Sequence, residues 1–495
     1  MIIKIICINT FSIEIPFKKG VNLTGWFQAS SVELTPFTRF TKQDFVNIKN
    51  LGCDVIRLPI NLHAMTSGEP VYAVSPLFFR FLDSAVTWAE NLKLYLIIDN
   101  HTFDPNVNTP TDIDKILRKV WVQVAKRYKN RSPYILYEVL NEPHGPSTQE
   151  WGRMQKTVID TIRTVDTKHT IIVGASSFNN YNELDKLPYY SDTNLIYTYH
   201  FYDPFMFTHQ GASWVDYMDS LKGVPYPYSA ERMQECPSSA KGSWVDDDLK
   251  KYVTSGTDSA VKKLLDIAVA FRDKRKVPVF CGEFGVLNLF ADTTDRAYWY
   301  KMVSHYLDSV NISWTIWDYK GSFGIFKKGS SEMFKSDVFV PLTQSLGFNA
   351  PIQQSAKIEP DSVGFSVYED FIGEKIIDYS WADLATLNFY DTISPNYGDY
   401  SVCWQNPKHY SKIAFNFIPS KDLSRLKQEN YAIDLFTRSS NVKTKFELRF
   451  VQKKSSTTDH PWRMSYTFSL SNKMWDGYAS CSHSVLFDER NRCLG

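Results

Sequence analysis

Short apolar runs alternate with longer amphipathic stretches over most of this chain. The short runs are rich in β-branched and aromatic residues and nearly continuous in apolar side chains, which is typical of parallel strands covered by helices. Eight strands are predicted, at 20–26, 54–60, 94–99, 134–141, 170–175, 195–201, 278–284 and 313–319. Helical periodicity lies between them, at 41–51, 75–92, 111–129, 147–167, 257–275 and 291–309.

This order of strands and helices predicts the fold. Eight strand–helix units in about 340 residues indicate a (β/α)8 TIM barrel. A doubly wound sheet is the alternative, but no Gly-rich phosphate loop follows any predicted strand. Residues 202–256, after the sixth strand, are rich in Gly, Pro, Ser and Trp, and a segment of this length at this place in a barrel usually covers the active face.

The pattern changes after residue 345. The stretch "GFNAPIQQSAKIEPDS" is typical of a linker, and beyond it runs such as "YSKIAFNFIP" and "FELRFVQ" alternate apolar with polar residues. This alternation predicts a smaller all-β domain, a jelly-roll-like antiparallel sandwich. We therefore expect a catalytic barrel at 1–350 and a β-sandwich at 358–495.

Composition narrows the possible functions. Lys and Arg number 55 and Asp and Glu 54, so the net charge of +1 gives no reason to expect a nucleic acid or an anionic membrane as partner. The 7 cysteines show no CxxC pair or Cys/His metal spacing, which argues against a zinc site. No apolar run reaches the roughly 18 residues that span a bilayer. The apolar start "MIIKIICINTF" fits a first strand about as well as a short signal sequence.

Polar and charged residues concentrate at the carboxyl ends of the predicted strands, where a barrel carries its active site. Two of them, Glu142 and Glu283, come from strands four and seven, which face one another across a small barrel. Paired carboxylates suit glycosidic bond cleavage, because one protonates the leaving oxygen while the other acts ionised, as nucleophile or base. Arg57, at the end of strand two, could hold one of them ionised, or it could pair with Glu138 instead.

With these residues in place, the sequence resembles a family 5 glycoside hydrolase over about residues 20–345. A single "NEP" motif would be weak support, but six motifs at six strand ends, in the family's order, are strong support. These motifs are "IRLP" (56–59), "DNH" (99–101), "NEP" (141–143), "YHFY" (199–202), "GEFG" (282–285) and "TIWD" (315–318).

The resemblance implies a retaining double displacement without a metal or an organic cofactor. In it Glu142 is the general acid/base and Glu283 the nucleophile, with carboxyl groups about 5–5.5 Å apart. Arg57 supports the nucleophile, Tyr202 hydrogen-bonds its carboxylate, and Asn141 binds the 2-hydroxyl of the sugar at the bond being cut.

The same resemblance implies a shell of substrate contacts. His101 and His200 belong to the polar shell of the cleavage subsite, and Trp317 is the platform under the sugar. Taken singly, each histidine would more often be a satisfied core residue. Three further residues are about evenly balanced between a substrate contact and a packing role: Trp214, Gln210 and Trp26.

The predicted substrate is a β-1,4-glucan, and we expect the enzyme to cleave it within the chain. A mannanase, a xyloglucanase or a mixed-linkage glucanase on the same scaffold is the alternative within the class, and a non-catalytic carbohydrate-binding barrel is the alternative outside it. A polymeric substrate implies a secreted or cell-surface protein. The oligomeric state stays open, and a monomer is compatible with the sequence.

The C-terminal region resembles, more loosely, the jelly-roll modules that follow some bacterial family 5 enzymes. Such modules bind glucan chains through Trp and Tyr on a concave sheet, and the aromatic residues to test here are Trp404, Trp462 and Trp475. A structural sandwich that braces the barrel is an equally weighted alternative.

Overall fold

The computed structural model divides the chain into two compact units, Met1–Ser355 and Ala356–Gly495. The predicted signal or strand at residues 1–11 and the candidate Trp475 lie outside the residues that the structure describes. Those described residues are 14–355, 359–373, 375–378, 380, 387–408, 411–439, 445–453, 459–469 and 476–480.

The first unit is built on eight parallel strands that close into a barrel in chain order, with the first strand paired to the eighth. The predicted TIM barrel is therefore confirmed. Each strand falls within or within one residue of its predicted run, but the fourth ends before Asn141 and Glu142, which lie in the loop that follows. The strands are β1 (Lys19–Asn22), β2 (Val55–Ile60), β3 (Tyr95–Asn100), β4 (Ile135–Glu138), β5 (Thr170–Gly174), β6 (Leu195–Phe201), β7 (Val279–Phe284) and β8 (Ser313–Ile316).

Helices lie between successive strands, and their ends follow from local sequence. The helix after β4, for example, begins with a capping box in which Ser147 and Glu150 exchange hydrogen bonds, because the first backbone N–H groups of a helix lack intrahelical partners. Among the described residues of this unit the helices are α1 (Lys42–Asn50), α2 (Pro76–Leu92), α3 (Asp114–Tyr128), α4 (Thr148–Arg163), α5 (Ser176–Asn179), α6 (Phe205–Thr208), α7 (Trp244–Ser255), α8 (Asp258–Arg275), α9 (Thr293–Ser309) and α10 (Val340–Ser345), with 3₁₀ turns at Val32–Leu34, Phe37–Arg39 and Tyr181–Lys186.

The barrel interior has an apolar layer below a polar one. The apolar layer closes the amino end, where the ring of Phe17 packs edge-on against Phe280 at 5.2 Å. Because side chains on one face of a strand recur every second residue, the positions two residues further along these strands form the next layer up. That upper layer includes Arg57, two residues after Val55. The apolar layer consists of Phe17, Val55, Ile97, Leu136, Ile172, Ile196 and Phe280.

A β-bulge interrupts the alternation in β7. Tyr199 of β6 pairs with Cys281, but the next residue, His200, pairs with Glu283, so Gly282 is the extra residue. A Cβ at Gly282 would lie 2.7 Å from Thr198 Oγ1, which a side chain could not tolerate without a shift of its neighbours. The bulge lets Glu283 join the interior face although it follows the inward-facing Phe280 by an odd number of residues.

The second unit contains antiparallel β structure in its described part. Its strands are paired as β9–β10, β11–β14, β12–β13, β15–β18 and β16–β17. The arrangement of these pairs into a jelly roll stays a prediction. The elements are β9 (Tyr368–Glu369), β10 (Phe371–Ile372), β11 (Ile376–Asp378), β12 (Leu387–Asp391), β13 (Ser401–Trp404), β14 (Phe415–Phe417), α11 (Ser424–Gln428), β15 (Ile433–Thr437), β16 (Lys445–Lys453), β17 (Asp459–Ser469) and β18 (Asp476–Ser480).

Two of the aromatic candidates in this unit fall on described strands, Trp404 at the end of β13 and Trp462 within β17. In the described part of the whole chain, no helix combines the length and the apolar character that crossing a membrane requires.

Candidate active site

Arg57, at the centre of β2, is fully buried and contacts several strand ends at once. Its Nε and Nη2 donate to the two oxygens of Glu138 at 2.7 and 2.8 Å, and its Nη1 donates to Glu283 Oε1 at 2.6 Å. The side-chain oxygens of Asn22 and Asn141 accept further bonds from the same guanidinium at 3.1 and 2.8 Å. Pairing with Glu138 and contact with the predicted nucleophile are therefore not alternatives, because one planar guanidinium makes both.

The charges around this guanidinium are arranged to keep it ionised. Burial alone disfavours the charged form, but Asp99, Glu138 and Glu283 raise the pKa of Arg57 well above its ordinary value. Burial in turn raises the pKa of Glu138 to about 7, an effect that Arg57 opposes. Glu138 is thus an interior partner of Arg57, as the two-residue period of a strand predicts from Glu142, four residues further along the chain.

Glu283 meets hydrogen-bond donors at both carboxylate oxygens. Arg57 donates to Oε1, and the hydroxyl of Tyr202 donates to Oε2 at 2.8 Å. Burial raises the pKa of Glu283, and the Arg57 charge and the Tyr202 hydrogen bond oppose that rise. Donors to the charged form favour a carboxylate, which is the state a nucleophile needs.

Glu142 lies in different surroundings. Burial and the negative charge of Glu283 raise its pKa well above the ordinary value. Its Oε1 lies 2.6 Å from Nδ1 of His200, and burial lowers the pKa of that histidine well below its usual range, which favours a neutral imidazole. A carboxyl group that keeps its proton to higher pH is suited to general acid catalysis.

The two carboxyl groups are close together. One oxygen of Glu142, one of Glu283 and a ring nitrogen of His200 all lie within 4.8 Å of one another. An approach of two carboxyl oxygens within 4.8 Å is nearer to the about 5–5.5 Å between the carboxyl groups of retaining glycosidases than to the roughly 6.5–9.5 Å of inverting enzymes.

The same three residues are the candidate ligands for a metal ion. However, both oxygens of Glu283 already accept bonds from Arg57 and Tyr202, and a cation there would face the guanidinium. The donor set therefore fits a site for a sugar better than a site for a metal.

The polar network continues at the end of β3, which lies next to β4 in the barrel. His101 shares Nδ1 with Asp99 Oδ2 at 2.7 Å, and its ring stacks on Trp317 with centroids 5.3 Å apart and an interplanar angle of 14°. Burial raises the pKa of Asp99 to about 7, opposed by Arg57, and burial lowers the pKa of His101 to about 4. A neutral His101 fixed by Asp99 presents its other ring nitrogen as a defined hydrogen-bonding group.

Two of the predicted substrate contacts are corrected by burial. Trp26 is fully buried, stacks on Phe27 at 4.5 Å and donates its indole N–H to the Phe37 carbonyl at 2.8 Å. Gln210 is also fully buried, and its amide exchanges hydrogen bonds with the backbone of Val224. Both side chains hold the scaffold, and neither has a surface that a sugar could contact.

Trp214, by contrast, is 49% exposed on the long segment after β6. Its ring lies 6.3 Å from that of His209, which lies 5.0 Å from the ring of Tyr202. The structure thus connects Trp214 to the site through one intervening ring, and its contact with substrate stays a prediction.

Sequence reasoning missed the structural roles of Asn22 and Asp99. Asn22 donates to the backbone carbonyls of Gly282 and Ile316 at 3.1 and 3.0 Å while it accepts from Arg57. The signal for Asp99 was present, because it precedes His101 by two residues and so shares its face of β3. Asn22 is the last residue of β1, and its place at the carboxyl end of a strand could have identified it as a site residue.

Comparison with known proteins agrees with this geometry. The model of the family "Cellulase (glycosyl hydrolase family 5)" matches residues 17–322. Endoglucanase 3 of Fibrobacter succinogenes is 31% identical over 335 residues, which are 63% of this chain and 50% of that protein, so the match spans half of that relative's length. Endoglucanase C of Acetivibrio thermocellus is 30% identical over 326 residues, 62% of this chain and 92% of that protein.

Solved structures show the same relationship. Endoglucanase Cel5A from the hyperthermophile Thermotoga maritima superposes with a TM-score of 0.56 at 25% identity, covering 66% of this chain and 96% of that one. That protein has been crystallised with cellobiose and with mannotriose.

Proposed function

Because the chain belongs to the cellulase family of glycosyl hydrolases, family 5, we propose that it cleaves β-1,4-glucans internally, with retention of configuration. The observation that carries this proposal is the pair Glu142 and Glu283, which have one oxygen each within 4.8 Å of the other. Burial raises the pKa of both, but Arg57 and Tyr202 oppose the rise at Glu283, whereas the charge of Glu283 adds to it at Glu142. The names of the relatives, which are endoglucanases, support the substrate class.

In the first step, Glu283 Oε2 or Oε1 attacks the anomeric carbon of the sugar in the cleavage subsite. The bond from that carbon to the leaving oxygen breaks, and Glu142 gives its proton to this oxygen, so the leaving chain departs as a neutral alcohol. Arg57 and Tyr202 stabilise the charge that Glu283 carries before the attack, which keeps it ionised at a pH where Glu142 is still protonated.

In the second step, Glu142 is a carboxylate and takes a proton from an incoming water. The water oxygen attacks the anomeric carbon, the ester to Glu283 breaks, and both carboxyl groups return to their starting states. Two inversions at one carbon retain the β configuration.

The remaining residues would bind the sugar. Asn141, which accepts a hydrogen bond from Arg57, would bind the 2-hydroxyl, and Trp317, which stacks on His101, would offer an aromatic face to the ring. Trp214 would contact a more distant sugar. A polymer of this kind is hydrolysed outside the cell, so the proposal includes export and leaves the second unit as a candidate glucan-binding module.

The test is release of reducing ends from carboxymethyl-cellulose, mixed-linkage glucan, glucomannan and xyloglucan, with Glu283→Gln as the inactive control. We expect the glucans to be cut, with a fast fall in viscosity from internal cleavage. Faster release from glucomannan than from either glucan would replace the substrate proposal with a mannanase, and binding without release from any polymer would overturn the enzyme proposal.

Stereochemistry is tested separately by proton NMR of the first product formed from a cello-oligosaccharide. We expect the β-anomer to appear first and to mutarotate afterwards, and the α-anomer appearing first would exclude the retaining mechanism.

A further inference from the structure

Asp99, near the end of β3, is fully buried and has fewer hydrogen-bonding partners than the other two carboxyl groups that contact Arg57. Its Oδ2 shares a hydrogen bond with Nδ1 of His101 at 2.7 Å, and its Oδ1 is buried without a partner in the described part of the chain. Glu138 and Glu283, by contrast, accept a hydrogen bond at each oxygen. Of the three carboxyl groups, Asp99 is therefore the one that its surroundings stabilise least as an anion.

Arg57 approaches Asp99 but donates no hydrogen to it. Nη2 of Arg57 lies 3.0 Å from Asp99 Oδ2, yet both hydrogens of this nitrogen are donated to other oxygens. A guanidinium has five N–H groups, and all five are engaged in this way, so Asp99 receives only the electrostatic attraction of the cation. The five acceptors are Oε1 and Oε2 of Glu138, Oε1 of Glu283, Oδ1 of Asn22 and Oδ1 of Asn141.

The charges around Asp99 also favour its neutral form. As carboxylates, Glu138 and Glu283 already outnumber the single guanidinium, and an ionised Asp99 would add a third negative charge that has no donor of its own. Burial raises the pKa of both Asp99 and Glu138 to about 7, but a proton on Glu138 would compete with an N–H of Arg57, whereas a proton on Asp99 competes with none. The charged and titratable groups that face Asp99 are Arg57, His101, Glu138, Glu142 and Glu283.

A proton on Asp99 Oδ2 has one acceptor within reach, which is Nδ1 of His101. Burial lowers the pKa of this histidine to about 4, which favours a neutral ring with a single N–H. A neutral ring that accepts at Nδ1 carries its hydrogen at Nε2. Nε2 makes no hydrogen bond to the described part of the chain, and the ring, which stacks on Trp317, keeps 8% of its surface exposed.

We propose that Asp99 is held as a neutral carboxylic acid that donates to Nδ1 of His101, so that Nε2–H of His101 is a hydrogen-bond donor toward the sugar in the cleavage subsite. Asp99 is thus a positioning residue, because it acts only through His101. It gives the contact a direction, since a hydroxyl group that faces an N–H must accept, and its own hydrogen then points elsewhere. The contact with a sugar rests on the proposed function, whereas the tautomer of His101 does not.

The tautomer is measured on the histidine side-chain nitrogens by ¹⁵N NMR of the full chain without substrate, at about pH 6, which is below the pKa of Asp99. The signals of His101 are assigned by their loss in His101→Gln. We expect a hydrogen at Nε2 and none at Nδ1. A hydrogen at Nδ1, whether or not Nε2 also carries one, would overturn the proposal, because Asp99 would then be a carboxylate.

Two variants test the charge of Asp99 by kinetics. Asp99→Asn replaces a neutral acid by a neutral amide whose N–H can still donate to Nδ1, so kcat/KM for cellotetraose should stay within about threefold of the wild type and the acid limb of its pH profile should not move. An ionised Asp99 raises the pKa of Glu283, so removal of such a charge would lower that pKa and move the limb to lower pH, which would overturn the proposal. Asp99→Leu leaves Nδ1 without a partner and should lower kcat/KM about tenfold.

Asp166→Asn is the matched control, because Asp166 is a second buried aspartate beside a histidine. Its Oδ2 lies 2.6 Å from Nδ1 of His169 and accepts from the hydroxyl of Tyr137 at 2.9 Å, and its Oδ1 accepts from the backbone N–H of Lys168 at 2.9 Å. These bonds stabilise a carboxylate, so Asp166→Asn should lower Tm at about pH 6 and leave the pH profile unchanged, whereas Asp99→Asn should keep the wild-type Tm. A lower Tm for Asp99→Asn than for Asp166→Asn would overturn the proposal.

Failure of this inference and failure of the proposed function give different results. A wild-type protein that cleaves no glucan would overturn the proposed function and leave the NMR result on His101 standing. A hydrogen at Nδ1 of His101 in a wild-type protein that cleaves cellotetraose would overturn this inference alone. If the variants of Asp99 do not fold, the wild-type spectrum still decides.

Discussion

Glu283 and Glu142 are the same residue type at two strand ends of one barrel, yet their neighbours differ in kind. Glu283 accepts bonds from a guanidinium and a phenol, whereas Glu142 shares a hydrogen bond with a neutral histidine. The first set of neighbours stabilises a negative charge and the second does not. The comparison teaches that position in the fold supplies the carboxyl groups, and that the surroundings assign their protonation states.

The largest effect is expected when the negative charge of Glu283 is removed and Glu142 is left unchanged. Glu283→Gln should lower kcat about 10⁴-fold or more on both cellotetraose and β-cellobiosyl fluoride, because either substrate needs the nucleophile. Circular dichroism and thermal unfolding should show a folded protein. Turnover near the wild-type value would refute the assignment of Glu283.

Removal of Glu142 should have a divided effect. Glu142→Ala should lower cleavage of cellotetraose about 10³-fold, whereas the first step with the fluoride should persist, because fluoride departs without a proton. Added azide should then accelerate turnover, since this anion attacks the glycosyl ester without a base, and mass spectrometry and NMR should detect β-cellobiosyl azide. An α-azide, or equal losses on both substrates without rescue, would contradict the role given to Glu142.

A smaller effect is expected when the cation beside Glu283 is replaced. Arg57→Lys keeps a positive charge but loses the fork that binds Glu138 and Glu283 together, so kcat/KM should fall about 10²-fold. Weaker stabilisation of the carboxylate raises the pKa of Glu283, and a raised pKa means that the nucleophile ionises only at higher pH. The acid limb of the pH profile of kcat/KM should therefore move upward, and an unchanged limb would show that Arg57 does not tune the nucleophile.

We expect the smallest effect on activity from Trp214, which is exposed on the long segment after β6. Trp214→Ala should lower kcat/KM for a soluble glucan a few fold, about the loss of one exposed aromatic contact, with little change in thermal stability. Trp26→Phe is the paired control, because a fully buried ring should affect unfolding and leave KM unchanged. A change of KM in Trp26→Phe and none in Trp214→Ala would reverse our placement of the two residues.

The barrel could be predicted from the sequence because its strands are short, continuous apolar runs, because eight of them alternate with helices, and because no Gly-rich phosphate loop supports the doubly wound alternative. The charged layer was also predictable, since Arg57, Glu142 and Glu283 lie within or shortly after strands that the barrel brings together. Prediction from the sequence succeeded where it depended on the two-residue period of a strand and on the order of the strands in the barrel.

Prediction from the sequence failed where tertiary contacts decide which side chains are exposed. Trp26 and Gln210 follow strand ends in the sequence as Trp214 does, and only packing shows that the first two are buried. The left-handed backbone of Ser177, Phe178 and Asn179 gave no signal in the sequence either, because hydrogen bonds to the loop after β4 accompany it and no local pattern contains them. In the second unit, alternation predicted antiparallel strands but cannot predict how the strand pairs assemble.

The bulge at Gly282 has a consequence for how this site can change over generations. The carbonyl of Gly282 accepts from Asn22 at 3.1 Å and from Thr315 at 2.5 Å, and Asn22 in turn orients Arg57 against the nucleophile. One member of the charged network is thus a peptide group, and a peptide group cannot be altered by exchanging one side chain for another. On this side the contact is inherited through the path of β7 and its bulge, whereas on the other side it is inherited through the side chains of Asn22 and Thr315, which a point substitution can remove.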